Sequence, residues 1–287
     1  MKVVLFCGGY GMRMRDGVIN APKPMAMIGD RPLLWHVMRY YSHFGHTEFI
    51  LCLGYGGTHV KDYFLNYEET SSNDFVLSDG GRTVELIDSD IADWKITFVD
   101  TGLNATIGER LLRVRKYVED DEVFLANYAD VLTDAPLPEL VADLQDSSAV
   151  GLLLAVPPQS SFHVVRVDAD KMVREIRAVH TFPIRENGGY FVLRREIFDY
   201  LSEGEDLVDD AFGALVAEDR LMARCYDGFW ASADTVKERA QLESLCHSGS
   251  KPWAVWDTTP KTQRDWTGPD RRRRGKAGAP LRDEEVR

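Results

Sequence analysis

No run of eighteen apolar residues occurs in the 287-residue chain, so a membrane-spanning helix is not expected. The amino-terminal run from Met1 to Cys7 is interrupted by Gly8 and Gly9 and carries no cleavage-site pattern, so it does not read as a secretory signal. Cysteine is scarce. Cys7, Cys52, Cys225 and Cys246 are scattered without C-x-x-C spacing, which argues against a disulfide framework or a zinc ribbon. The seven histidines form neither an H-E-x-x-H nor an i, i+4 pair, so a transition-metal centre is not expected. Positive charge is also in deficit, at a formal net charge of −12. From Thr258 onward nine basic side chains face five acidic ones, which leaves about −16 on the preceding body. Such a body does not invite nucleic acid, and a phosphate-bearing ligand needs local cations, a metal or backbone N–H groups. A reducing, cytoplasmic setting is the resulting expectation, with no nucleic-acid and no membrane partner.

What is present has the profile of a globular protein, 44% apolar and 28% charged. Strand-length apolar runs recur at Lys2 to Cys7, Phe49 to Leu53, Trp94 to Val99, Val123 to Ala126 and Val150 to Val156. Between them, Arg31 to Phe44 sets Leu33, Leu34, Val37, Met38, Tyr41 and Phe44 on one helical face, and Glu109 to Val118 repeats the pattern. Continuous apolar strands alternating with amphipathic helices predict an α/β fold, a doubly wound and mainly parallel sheet. Beyond Pro158, short alternating pieces at His163 to Val167, Lys171 to Ile176 and Tyr190 to Leu193 predict a small antiparallel extension. Helices are expected near Leu207 to Glu218 and Thr235 to Cys246. Residues 1–257 read as one domain. Residues 258–287, with Arg271 to Arg274, read as a disordered tail.

The sharpest local pattern is Gly8-Gly9-Tyr10-Gly11-Met12-Arg13, directly after the first strand. Glycines let a backbone approach phosphate closely and turn its N–H groups toward the anion. A P-loop requires G-x-x-x-x-G-K-[ST], which is missing, and a dinucleotide fingerprint fails at Met14. A plain strand-end turn remains the alternative for this segment alone.

Pro22-Lys23-Pro24-Met25, Gly29-Asp30-Arg31-Pro32 and the helix beyond extend the pattern. Together they resemble sugar-phosphate nucleotidyltransferases, whose opening reads G-G-x-G-T-R followed by a lysine–proline segment. The glucose-1-phosphate cytidylyltransferase branch matches best. The resemblance continues through Phe49 to Gly56, Val99 to Gly102, Gly108 to Leu111, Asn187 to Leu193 and Phe229 to Thr235, reaching Lys251-Pro252-Trp253. It implies the nucleotide-diphospho-sugar transferase fold, a Rossmann-like sheet with a sugar-side extension. It also implies cytidylyl transfer from CTP to glucose 1-phosphate, with CDP-glucose and pyrophosphate as products. Mg²⁺ as cofactor and a homo-oligomeric state follow from it too.

Carried over residue by residue, the resemblance assigns Arg13 and Lys23 to catalysis. Nucleotide binding falls to Phe6, Cys7, Gly8, Gly9, Tyr10, Gly11, Met12, Arg13, Lys23, Arg110, Tyr128 and Ala129. Asn187, Gly188 and Trp230 are placed at the sugar, and Asp130 and Asp234 at the metal. The chemistry suits these residue types. A sugar phosphate is largely dianionic at neutral pH, so the reaction needs cancellation of anion repulsion, not a general base. Asp234 also stands where an Asp commonly caps a helix, and Trp230 could equally pack in a core. Arg110 could instead form a structural ion pair.

Four departures from the family pattern stand out. Met12 replaces the loop threonine, Val131 replaces the glycine after the metal aspartate, and Phe162-His163 replaces a Phe-Gly pair. The Glu-Lys-Pro segment has no counterpart within Glu175 to His180, where Arg174 or Arg177 is the candidate for the missing charge. Two other readings stay open: the same chemistry with dTTP or UTP, and a non-catalytic nucleotide- or sugar-phosphate-binding protein.

Overall fold

The central strand β1 (Val3–Phe6) is buried along its whole length, and its side chains alternate between two apolar clusters. Val3 and Leu5 join one cluster, while Val4 and Phe6 join the other. A strand buried on both faces has no polar side, which is why its sequence is continuously apolar. Six further strands complete the sheet: β2 (Glu48–Leu53), β3 (Lys95–Asp100), β4 (Val123–Asn127), β5 (Gly151–Val156), β6 (Glu186–Arg194) and β7 (Leu221–Cys225). Their order is β7-β5-β6-β4-β1-β2-β3. All neighbours are parallel except β6, which runs antiparallel to both β4 and β5. The computed structural model describes residues 1–9, 22–71, 73–159 and 162–258; the expected tail, apart from Thr258, lies outside them. The fold described here is that of Met1–Trp256.

Helices cover both faces of this doubly wound sheet. On one side lie α1 (Leu33–His43), α2 (Gly57–Leu65) and α4 (Leu137–Gln145), which contribute Leu34, Val60 and Leu140 to the first cluster. On the other, α3 (Ile107–Val118) and the segment from Leu207 through α5 (Gly213–Ala217) contribute Leu111, Val114, Phe212 and Leu215. Burying each such side chain stabilises the fold by about 1.5–3 kcal/mol. The helix expected from Leu207 starts as a π-helical stretch, Leu207–Phe212, before α5. The last helix, α6 (Val236–His247), is long but buries only Leu242. Among the described residues no helix is long and apolar enough to cross a membrane.

The antiparallel β6 positions the site. Because it is reversed, its beginning meets the carboxyl ends of β4 and β5: Ala155 is opposite Asn187, and Asn127 is opposite Tyr190. Tyr190 to Leu193 therefore belongs to the central sheet and not to the small extension expected from its alternation. The extension itself is a hairpin, His163–Val167 against Val173–Ala178. A second hairpin, Phe75–Ser78 against Thr83–Leu86, went unread in the sequence. Phe75, Leu77, Val84 and Leu86 share one of its faces, and all four are exposed.

Candidate active site

At the carboxyl edge of β1 and β4 lies a cleft of about 1160 Å³. Its described lining includes Phe6, Cys7, Gly9, Lys23, Tyr128, Asp130, Asn187, Trp230 and Asp234, all of them expected from the sequence. Tyr10, Gly11, Met12 and Arg13 lie outside the described residues. Arg110, Gly8, Ala129 and Gly188 do not line the cleft, and each has a different part.

Arg110 is buried at 3% exposure and holds backbone. Its guanidinium donates to the carbonyl oxygens of Gly8 (3.0 Å), Gly102 (3.0 Å), Leu53 (3.3 Å) and Leu103 (3.4 Å), and to Thr101 Oγ1 (2.7 Å). The planar fork thus ties together the chain ends after β1, β2 and β3. In this structure it positions backbone, a part the sequence reading did not give it. Gly8 is a glycine for the same reason, since a Cβ there would sit 2.1 Å from the Arg110 guanidinium. The neighbouring thiols are inert: burial pushes Cys7 well up and Cys52 to about 12.

After β4 the chain turns sharply. Buried Asn127 accepts from the Ala129 N–H at 2.7 Å, and Ala129 takes a left-handed φ of 62°. That conformation costs a non-glycine residue on the order of 1 kcal/mol or more. Ala129 is itself fully buried, so its contribution is the turn that brings Asp130 to the cleft. On the opposite wall, Trp230–Ser232 pairs with Val131–Thr133. The departure at Val131 is absorbed here, since Val131 is a ladder residue opposite Ser232 and its carbonyl accepts from Tyr190 at 2.9 Å.

Lys23 stands in a short 3-10 turn, Lys23–Met25, entered from an extended Pro22. Its ammonium lies 2.5 Å from Asp234 Oδ1 and 3.8 Å from Asp130 Oδ2. Two carboxylates from distant parts of the chain therefore converge on one cation. Burial, and after it the charge of Asp234, raises the Asp130 carboxyl to about 7, with Lys23 opposing. The alternative reading of Asp234 as a helix cap does not hold. Thr235 is the N-cap of α6, accepting from Glu238 N at 3.2 Å, while Glu238 Oε2 accepts from Thr235 N (3.0 Å), Asp234 N (2.9 Å) and Ser232 Oγ (3.1 Å). This capping box leaves the Asp234 carboxylate free for the cleft. Two hard carboxylates at an open cleft fit the donor set that Mg²⁺ takes. Among the described residues no cluster of three or more potential ligands forms a closed metal cage.

At the wall the sequence reading assigned to the sugar, the Trp230 indole donates to Gly188 O at 2.8 Å, and Trp230 lines the cleft. Gly188 is buried beneath it, and a Cβ there would crowd Leu154 O at 3.0 Å. Asn187 accepts from Gly189 N (2.9 Å) and donates to Tyr128 OH (3.1 Å), so it braces Tyr128 as well as lining the cleft. Arg174 and Arg177 do not reach the cleft. Arg174 pairs with Asp168 at 2.5 Å, and Arg177 donates to Thr181 O while lying over the Phe182 ring. Sequence reasoning missed Gln159, Glu186, Lys237, Glu238 and Gln241, which also line the cleft. Of these, only Glu238 had a readable signal, the T-x-x-E spacing from Thr235.

A Bacillus subtilis (strain 168) protein named "Probable glucose-1-phosphate cytidylyltransferase" is 34% identical over 258 residues, 89% of this chain and 100% of that protein. The glucose-1-phosphate cytidylyltransferase of Salmonella typhi is 33% identical over 262 residues, covering 90% of this chain and all of its own length. The chain belongs to the glucose-1-phosphate cytidylyltransferase family. No protein-family model matches it. In fold, this family member is similar to a UDP-glucose pyrophosphorylase solved with UDP-glucose, with a TM-score of 0.63, 18% identity, and coverage of 86% of this chain and 98% of that one. The aspartate pair, Lys23 and Trp230 thus stand on a nucleotidyltransferase sheet in a cytidylyltransferase-family chain.

Proposed function

We propose that this family member transfers a cytidylyl group from CTP to glucose 1-phosphate, forming CDP-glucose and pyrophosphate. The observation that carries the reading is the convergence of Asp130 and Asp234 on the Lys23 ammonium at the carboxyl edge of the sheet. The attacking phosphate oxygen is already ionised, so no residue has to remove a proton from it. The chain's task is to bring two anions together and to offset charge on the departing pyrophosphate. Lys23 exchanges its carboxylate partners for the oxygens of the reacting phosphate. Arg13 is assigned to the β- and γ-phosphates and the glycine segment to the triphosphate backbone. Trp230 presents its ring to the sugar. Asp130 and Asp234 are the residues that would hold Mg²⁺, which supplies charge neutralisation when bound.

We also read the chain as a homo-oligomer. The Phe75–Leu86 hairpin leaves Phe75, Leu77, Val84 and Leu86 exposed on one face. The His163–Ala178 hairpin exposes Val165, Val167 and Ile176, while its arginines are paired with Asp168 and Glu175 of the same segment. Exposed apolar faces of this kind are surfaces that association of two copies would bury.

The test is pyrophosphate release from CTP, dTTP, UTP and GTP, each with a panel of sugar 1-phosphates. Preference for CTP with glucose 1-phosphate is expected. Turnover with another triphosphate reassigns the nucleotide, and saturable binding without turnover in any pair overturns the enzymatic reading.

A further inference from the structure

Two anionic substrates must share a cleft whose described lining carries Asp130, Glu186, Asp234 and Glu238. The cations in that lining are Lys23 and Lys237. Lys23 pairs with the two aspartates, at 2.5 and 3.8 Å, and is the cation assigned above to the reacting phosphate. Arg174 and Arg177, the sequence's candidates for a sugar-phosphate cation, are engaged with Asp168, Glu175 and Thr181 away from the cleft. Lys237 differs from all of these. It is exposed, it lines the cleft, and it makes no ion pair or hydrogen bond with the described residues.

Its backbone is held firmly. Lys237 is the second residue of α6, inside the turn closed by the Thr235–Glu238 capping box. The same stretch of chain supplies Trp230 at the sugar side and Asp234 at the carboxylate pair, so this wall of the cleft runs from sugar ring to metal ligand to free ammonium. An ammonium with no partner, on a wall shared with four carboxylates in the cleft, is where a phosphate dianion gains most from a single ion pair.

We propose that Lys237 binds the 1-phosphate of the sugar substrate and sets the affinity for it. The inference rests on the cleft being a sugar-1-phosphate site. Steady-state rates of Lys237→Met and Lys237→Arg, with each substrate varied at saturating levels of the other, test it. In Lys237→Met the KM for glucose 1-phosphate should rise about tenfold or more, with the KM for CTP within about twofold, and Lys237→Arg should restore most of the loss. An unchanged KM for glucose 1-phosphate overturns the proposal, as does a rise confined to CTP. Calorimetric titration of glucose 1-phosphate onto wild type and Lys237→Met, with and without CTP, separates this proposal from the enzymatic reading. Binding by wild type that Lys237→Met weakens supports Lys237 even if turnover with CTP fails. Equal binding by the two proteins, or none by wild type, overturns it.

Discussion

Lys23 has two roles that compete. With no substrate bound its ammonium offsets Asp130 and Asp234, two carboxylates that would otherwise repel each other. In the proposed mechanism it leaves them for phosphate. One cation shared between two carboxylates is easily repartnered when a polyanion and a cation arrive together, which suits a site that must alternate between open and loaded states. His36 shows the opposite design. Its Nε2 lies 3.0 Å from Ile28 O and its Nδ1 3.3 Å from Trp253 Nε1, so the neutral ring, donating from Nε2 and accepting at Nδ1, satisfies both. Burial lowers its pKa to about 4. The unfolded chain takes up a proton near pH 6.5, whereas the folded chain resists until about 4. The stability from neutral His36 is therefore complete above pH 6.5 and is lost as pH falls through that window, by about 2–3 kcal/mol at pH 4.5. Denaturant titrations at pH 7.5 and 4.5 should show a smaller acid loss for His36→Gln than for wild type. Equal losses would contradict the assignment.

Among the elements, α6 has the most consequence for its small buried area. It packs little apolar surface, and its first turn is instead fixed by Glu238, which accepts three hydrogen bonds and frees Asp234 for the cleft. Glu238→Ala should cost about 1–2 kcal/mol of stability, read by chemical denaturation, and lower turnover through Asp234 as well. A change below about 0.3 kcal/mol would contradict the capping role. The helices α1 and α3 were readable because they bury a stripe with helical period, and β1 to β5 because each carries a mostly apolar run of strand length. The reversed β6 was not. Alternation and turn residues marked Tyr190 to Leu193 as antiparallel, but only the tertiary pairing of Asn127 with Tyr190 inserts it in the main sheet. The site divides in the same way. Lys23, Asp130, Asp234 and Trp230 came from motif order, and the structure places all four on the cleft. Lys237 and Gln241 carry no motif and reach the cleft only because α6 folds beside it. The hold of Arg110 on backbone was not legible, because a cation near a glycine loop looks the same in sequence whether it faces phosphate or carbonyl oxygens.

At the scale of the whole molecule, one sheet separates two apolar clusters and gathers chemistry along a single edge. That arrangement leaves two hairpins projecting with apolar faces. An isolated two-stranded hairpin is marginal in water, and exposed apolar edges invite pairing. Leu77, at 58% exposure, is the natural probe. Leu77→Glu should reduce the molar mass seen by size-exclusion light scattering while changing stability by under about 1 kcal/mol. A wild type that is monomeric at micromolar concentration would contradict self-association. The central claim concerns the aspartate pair and is tested by the rate of pyrophosphate release from CTP and glucose 1-phosphate in wild type and Asp130→Asn, at matched thermal stability. The account predicts measurable turnover in wild type and a loss of about 10²-fold or more in the variant. Full activity in Asp130→Asn would contradict it.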